Sequence, residues 1–465
     1  MGFTQAMVTS AVSSPTQTAQ ALDATLERTF DWTAIWYPVY FVQDLDKTRP
    51  TRFVLLGQPL VIWWQVTQQQ WVVLADRCPH RLAPLSEGRL TEDGCLECPY
   101  HGWAFTESGA CDRIPFAPEN STAHQSDRAR VRQYPSQVVQ GLLFVYAGRP
   151  ENAEMTPIPV PTPLKEHEDE WVMADTFRDI PYDATTLLEN VLDTSHVSFT
   201  HHPRVGNRAN AKDFALEVSE VEPSGFTGFW AEGPRKGKLG AQKTTFIAPG
   251  LMWHDIEESP FGQVMTVVYA TPMEKGRCRA IVRLPFRFKA AIPRLVFKYT
   301  PRWYSHLNQN GILEDDQIFL HLQERTLAES HTNYAKACYL PTGSDRFVLA
   351  YRRWVERFGA PFADQGFAPA ETRREILLDR YHSHTAHCQS CLGALKRIRQ
   401  LRKGGAIALL LLWILLPLGV GLSWPVWSLG TLAALLPVVF AGWWKLGQLE
   451  RGFYDGEYPP TRNYR

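Results

Sequence analysis

The chain has 465 residues, with 48 Lys and Arg against 48 Asp and Glu. A formal net charge of zero leaves no large field and argues against nucleic acid as a partner, and the length suggests two or three domains. Eight unevenly spaced Cys argue against a disulfide framework and for metal or redox chemistry in a reducing compartment.

Residues 1–30 are rich in Ser, Thr, Ala and Gln, with no Lys or Arg before Arg28 and no long apolar run. They are expected to be disordered, since a secretory signal or an Arg-rich transit peptide would look different. Within 31–150, FVLLGQPLVIWWQV (53–66), QQQWVVLADRC (68–78) and GLLFVYAG (141–148) alternate and are β-rich. They predict an all-β module whose loops hold CPHRLAPLSEG (78–88) and CPYHGW (98–103). Each loop contributes one Cys and one His: Cys78 with His80, and Cys98 with His101. Two Cys and two His leave zinc open, but zinc fingers usually keep the Cys pair and the His pair together. A Rieske [2Fe–2S] cluster needs the mixture, two thiolates on one iron and two imidazoles on the other. Cys95 and Cys111 lie off this pattern and read as buried thiols. Pro-rich 149–164 reads as a linker.

Residues 165–395 mix strand-like with helix-like runs, which predicts an α+β domain. In ENVLDTSHVSFTHH (189–202), Asn190, Asp193 and His196 are three apart and are expected on one helix face, with His201 past the helix end. Two His and a carboxylate form the facial triad of non-haem Fe(II) oxygenases. The run EDDQIFLHLQE (314–324) opens on three acidic residues, a pattern that an acidic helix start also gives. HSHTAHCQSC (382–391) ends in Cys388-x-x-Cys391. That pair reads as a zinc site, an inert pair or, preferred here, a thiol switch open to thioredoxin. A c-type haem is excluded because residue 392 is Leu.

No charged residue lies between Gly404 and Trp444. At ~20 apolar residues per crossing, this run holds two membrane spans, near 405–422 and 426–444, turning at Ser423-Trp-Pro. Basic 396–403 and Lys445 put both flanks on the cytoplasmic or stromal side. The expected division is 1–30 lead-in, 31–150 cluster domain, 151–395 catalytic domain, 396–445 basic flank and hairpin, and 446–465 tail.

WYPVYFVQDLD, CPHRLAPLSEGRL, CPYHGWAF, GACDRIP and LLENVLDTSHVSFTHH, with a C-x-x-C before two spans, resemble the pheophorbide a oxygenase family. That family also holds chlorophyllide a oxygenase, protochlorophyllide hydroxylases and translocon-associated Rieske proteins. The resemblance runs from about residue 31 to the end. Respiratory Rieske proteins carry an extra Cys in each loop, and the matching places here are Ala83 and Tyr100, which points to the oxygenase branch. The resemblance implies a Rieske domain, a helix-grip-like catalytic domain and a transmembrane hairpin. It places a [2Fe–2S] cluster on Cys78, His80, Cys98 and His101, and a mononuclear Fe(II) on His196, His201 and an acidic residue seven positions before a Gln, which matches Asp316 and Gln323; His202 is the alternative second imidazole and Asp315 the alternative carboxylate. Asn190 and Asp193 become catalytic residues, Asp193 bridging a subunit boundary to His101. It implies a homotrimer in a cyanobacterial thylakoid or plasma membrane, fed by a ferredoxin-like donor. The expected reaction is O₂-dependent oxygenation of a chlorophyll-derived tetrapyrrole, ring opening of a pheophorbide a-like chlorin foremost. Another chlorin or apolar ring is the alternative substrate. A membrane redox relay or sensor is the alternative of another class.

Overall fold

The computed structural model describes residues 30–166 and 168–463. The expected disorder of 1–30 therefore lies outside the described residues, apart from Phe30. Phe30 is packed: its N–H donates to Phe358 O at 3.0 Å, and its ring meets Trp32 and Trp354 edge-on.

Three small antiparallel sheets make up residues 36–146. The strand Gln58–Gln65 shows why its residue types are needed. Leu60, Val61, Ile62 and Trp63 are all fully buried, and alternate residues enter different cores. Leu60 and Ile62 join Tyr37, Phe53 and Val73. Val61 and Trp63 join Leu96, Phe105 and the two loop cysteines, Cys78 and Cys98. A strand buried on both faces reads as a continuous apolar run.

The larger unit is a seven-stranded antiparallel sheet in the order Val172–Ile180, Arg277–Phe288, Gly262–Glu274, Leu251–Ser259, Gln242–Ile247, Gly225–Trp230, Glu217–Val218. Helices α1 (Ala184–Leu192), α2 (Val197–Thr200), α3 (Arg302–Glu329) and α4 (Arg346–Phe358) accompany it. Leu187, Leu188 and Leu192 of α1 pack with Met252 and Val268 of the sheet and with Leu320, Tyr351 and Trp354 of α3 and α4. Asp175 stands opposite Arg283, and Asp179 opposite Arg279, on neighbouring strands. Arg279 is fully buried in a two-pronged pair with Asp179 (2.6 and 3.0 Å) and donates to Val39 O at 2.9 Å. It thereby ties the sheet to the N-terminal module.

The expected linker at 149–164 is a packed strap. Ala153 and Leu164 are buried in the core shared by both units, and Trp36 Nε1–H donates to Thr156 O at 3.0 Å. Interspersed apolar residues override the Pro-rich composition.

Two helices among the described residues are long and apolar enough to cross a membrane: α5 (Gln389–Gly421) and α6 (Val426–Arg451). The expected boundary at 395/396 falls inside α5. Its first turns belong to the body, where Cys391, Ala394, Leu395 and Ile398 are buried, and Phe453 packs back after α6.

Glu324 of α3 holds the start of α1. Its Oε2 accepts from Asp183 N–H and from the Thr186 hydroxyl, each at 2.9 Å. Burial pushes its carboxyl from 4.5 up to about 7. An acid with a raised folded pKa binds more protons folded than unfolded, so stability falls as pH rises through that interval. The wild type is expected to lose on the order of 1–3 kcal/mol between pH 4.5 and 7 from this group. Melting curves of Glu324→Gln should lack that slope, and an unchanged slope refutes the assignment.

Candidate functional site

The two Cys/His loops are conformational copies. Cys78 N–H donates to Ala83 O and Leu82 N–H to Cys78 O, both at 2.8 Å. Cys98 N–H donates to Trp103 O at 2.8 Å and Gly102 N–H to Cys98 O at 3.1 Å. Each loop turns on a left-handed residue four places after its Cys, Leu82 at φ 60° and Gly102 at φ 71°. The thiols are buried at 1 % and 3 % exposure, while His80 is exposed and His101 half-buried. The imidazole centroids lie 4.6 Å apart, and His80 stacks on Trp103 at 4.8 Å. Among the described residues, these four do not form a group of three or more donors within 4.8 Å of one another. A single tetrahedral zinc needs such convergence. An inner thiol pair and an outer imidazole pair fit a two-iron cluster held from both ends.

The second site begins where α1 stops. Asn190, Asp193 and His196 do not share one helix. Asp193 caps α1 at ψ 102°, and its Oδ1 accepts from Ser195 N–H (2.8 Å) and Oγ–H (2.6 Å). The side chain competes with the helical ladder and turns the chain. His196 then starts α2, with Nδ1–H donating to Asp193 O at 2.5 Å. A carbonyl only accepts, so Nε2 carries the lone pair. His201 Nδ1–H donates to Asp315 Oδ2 at 3.3 Å, which likewise leaves its Nε2 bare. The two Nε2 atoms lie 3.2 Å apart, and Asp316 Oδ2 lies 3.3 Å from that of His201.

Two facing lone pairs and a carboxylate at one point repel unless a cation lies among them. Burial pushes the Asp316 carboxyl up to about 6, so its anionic form also needs a positive neighbour. The donor set, His196, His201 and Asp316 within 4.8 Å, suits a mononuclear iron. Asp315 stands behind His201 and orients its ring. His202 is outside the group, and Gln323 is exposed. Asn190 Nδ2–H reaches Asp316 Oδ1 at 3.5 Å. The sequence carried no signal for His254, whose Nε2–H donates to Val191 O at 2.9 Å and braces the end of α1. Burial pushes it down to about 4, so it is neutral near pH 7.

A cavity of about 560 Å³ shares its wall with Asn190, His196, His201 and Asp316. Val264, Leu284 and Ile312 contribute to its apolar lining, and exposed Arg235 and Lys236 also border it.

Cys388 and Cys391, the expected switch pair, are 0 % and 1 % exposed and face His306 and His384. Thiol exchange requires an attacking sulfur to reach such buried thiols.

Residues 246–333 match the family model described as Pheophorbide a oxygenase, and residues 35–135 match that of the Rieske [2Fe-2S] domain. The chain is 39% identical over 406 residues to the chloroplastic pheophorbide a oxygenase of Oryza sativa subsp. japonica, covering 80% of this chain and 75% of that one. It is 31% identical over 489 residues to the chloroplastic flavonoid 8-hydroxylase 2 of Ocimum basilicum, covering 98% and 91%. Among solved structures, dicamba monooxygenase bound to dicamba aligns with a TM-score of 0.57 at 21% identity, over 70% of this chain and 96% of that one. Pseudomonas putida CBB5 NdmA with caffeine aligns at 0.55 and 19%, over 70% and 90%. At such identities the structural likeness speaks for the fold alone.

Proposed function

The chain belongs to the pheophorbide a oxygenase family of Rieske non-haem iron oxygenases, and from that premise we propose that it oxygenates a chlorin, opening the ring of a pheophorbide a-like substrate. It is an O₂-using oxidoreductase with a Rieske cluster and a mononuclear iron. The observation that carries the reading is the His196, His201 and Asp316 group set in the wall of the apolar cavity.

When bound, the cluster supplies single electrons and the solitary iron activates O₂. The chain's residues do the rest. His196 and His201 present preoriented lone pairs, fixed from behind by Asp193 O and by Asp315. Val264, Leu284 and Ile312 exclude water and favour a flat, greasy ring. Arg235 and Lys236 suit an acidic substituent on that ring.

Electrons come from a ferredoxin-type donor. The proposed assembly is a homotrimer in which Asp193 meets His101 of the partner subunit. The α5–α6 hairpin is proposed to span a photosynthetic, cyanobacterial membrane, with both basic flanks on the cytoplasmic or stromal side. A Cβ on Gly405 would lie 3.3 Å from Trp443 Cδ1, so a short loop can replace residues 405–443. That replacement is expected to move the protein from the membrane to the soluble fraction with its Rieske absorption intact. Retention on membranes defeats the spanning assignment.

The test is anaerobic reduction followed by ¹⁸O₂ with pheophorbide a, read by mass. Incorporation of label into the chlorin is expected. The flavonoid 8-hydroxylase relative, which aligns over 98% of this chain, favours a second reading with a smaller aromatic ring as substrate. Labelled flavonoid with unchanged chlorin selects that reading. Neither product, with no substrate-dependent O₂ uptake, defeats both.

A further inference from the structure

We propose that His306, His384, Cys388 and Cys391 bind one structural zinc ion, a third metal centre separate from the two catalytic ones. The four donor atoms lie within 4.8 Å of one another, and all four residues are buried. His306 Nδ1 is 3.1 Å from His384 Nε2 and 3.4 Å from each thiol sulfur, and His384 Nε2 is 3.3 Å from Cys391 Sγ. A tetrahedral ion with Zn–N of ~2.0–2.1 Å and Zn–S of ~2.3 Å places its two N ligands ~3.3–3.4 Å apart and an N and an S ligand ~3.5–3.6 Å apart. The site is close to that size with no ion in place.

The imidazoles are also set for a cation. His306 Nε2–H donates to Asp175 O at 2.7 Å, and His384 Nδ1–H donates to Phe177 O at 2.6 Å. Both carbonyls belong to one strand, two residues apart, and they fix both tautomers. The remaining nitrogens confront each other as lone pairs. Zinc entry displaces the two thiol protons to solvent and leaves two thiolates and two neutral imidazoles on the ion, a neutral centre suited to a core. Two Cys and two His converging on one point favour zinc among common ions.

The four ligands come from three places: α3, the turn before the hairpin, and the first turn of α5. Adjacent bonds tighten the same junction. Ser390 Oγ accepts from Trp303 N–H at 3.1 Å, and Asp44 Oδ1 accepts from Gln389 N–H at 3.1 Å. His306 precedes Asp316 by ten residues on α3, or ~15 Å of helix. The ion thus clamps the root of the hairpin to the helix that supplies the iron carboxylate. This inference does not depend on the oxygenase reading.

Elemental analysis of the purified full-length protein is expected to find about one zinc per chain beside about three irons. Cys388→Ser with Cys391→Ser is expected to cut zinc at least tenfold, with the Rieske absorption retained. Should that variant not fold, the wild type still decides the matter through cobalt. Co²⁺ in place of zinc is expected to give intense visible bands with thiolate charge transfer, as a tetrahedral S₂N₂ site requires. Free thiols or a Cys388–Cys391 disulfide by mass spectrometry, with no metal beyond the irons and no such cobalt spectrum, overturn the proposal.

Discussion

His201→Ala is expected to abolish oxygenation, lowering turnover by roughly three orders of magnitude or more, about 4 kcal/mol of transition-state stabilisation. The residue is 5 % exposed and its Nε2 lies 3.2 Å from that of His196. Its removal takes away one of two nitrogen donors and leaves Asp315 and Asp316 without the imidazole between them. Iron should fall from about three to about two per chain while the Rieske absorption persists, because Cys78 and Cys98 sit in a different core. Asp315→Asn provides the graded control. It keeps an oxygen acceptor behind His201 and is expected to cost ~10–100-fold, as for other groups that orient a ligand. A His201→Ala protein that still turns over, or that keeps all its iron, removes this residue from the centre.

Asp193→Asn should leave all metals in place and still slow product formation by about 100-fold or more, a loss of roughly 3 kcal/mol. The isostere is informative because of how the two carboxylate oxygens are used. Oδ1 accepts both hydrogen bonds from Ser195, and an amide oxygen can do the same. The hydrogen bond that orients His196 goes to the Asp193 backbone and is untouched. Among the described residues, no donor reaches Oδ2, the oxygen that Asn replaces with an amino group. The change therefore removes one anionic acceptor, the one proposed to meet His101 of the partner subunit. Single-turnover measurements should show a cluster that reduces normally and reoxidises slowly. Normal reoxidation by O₂ with substrate present excludes Asp193 from the electron path.

Local spacing made much of the chemistry readable. Cys78 with His80 and Cys98 with His101 lie in loops whose hydrogen bonds close within five residues, so proximity along the chain equals proximity in space. The charge-free run after Lys403 was equally plain. Long-range packing was not. The choice between Asp315 and Asp316 depends on the rotation of α3, which adjacent residues in an acidic run do not reveal. His306 lies more than 80 residues before Cys388, and no pattern linked them. The break at Asp193 escaped because three-residue spacing suggested a continuing helix, whereas the Ser195 bonds to the Asp193 side chain divert the chain. The strap at 149–164 escaped because its composition resembles a free connector, while Ala153 and Leu164 are core residues.

Helix α5 runs from the buried Cys391 to Gly421, with Pro417 inside its apolar half and no Pro before Gly404. About 13 residues, ~20 Å of rod, separate Cys391 from the start of the charge-free segment at Gly404. With the hairpin in the proposed spanning position, such a rod lets the lipid sheet dictate the attitude of the whole catalytic head. In the proposed homotrimer, with the proposed spanning hairpins, all six rods enter one bilayer, and this requires the rotation axis to stand upright on it. The heads would then stand like a tripod, every active site at the same height above the lipid.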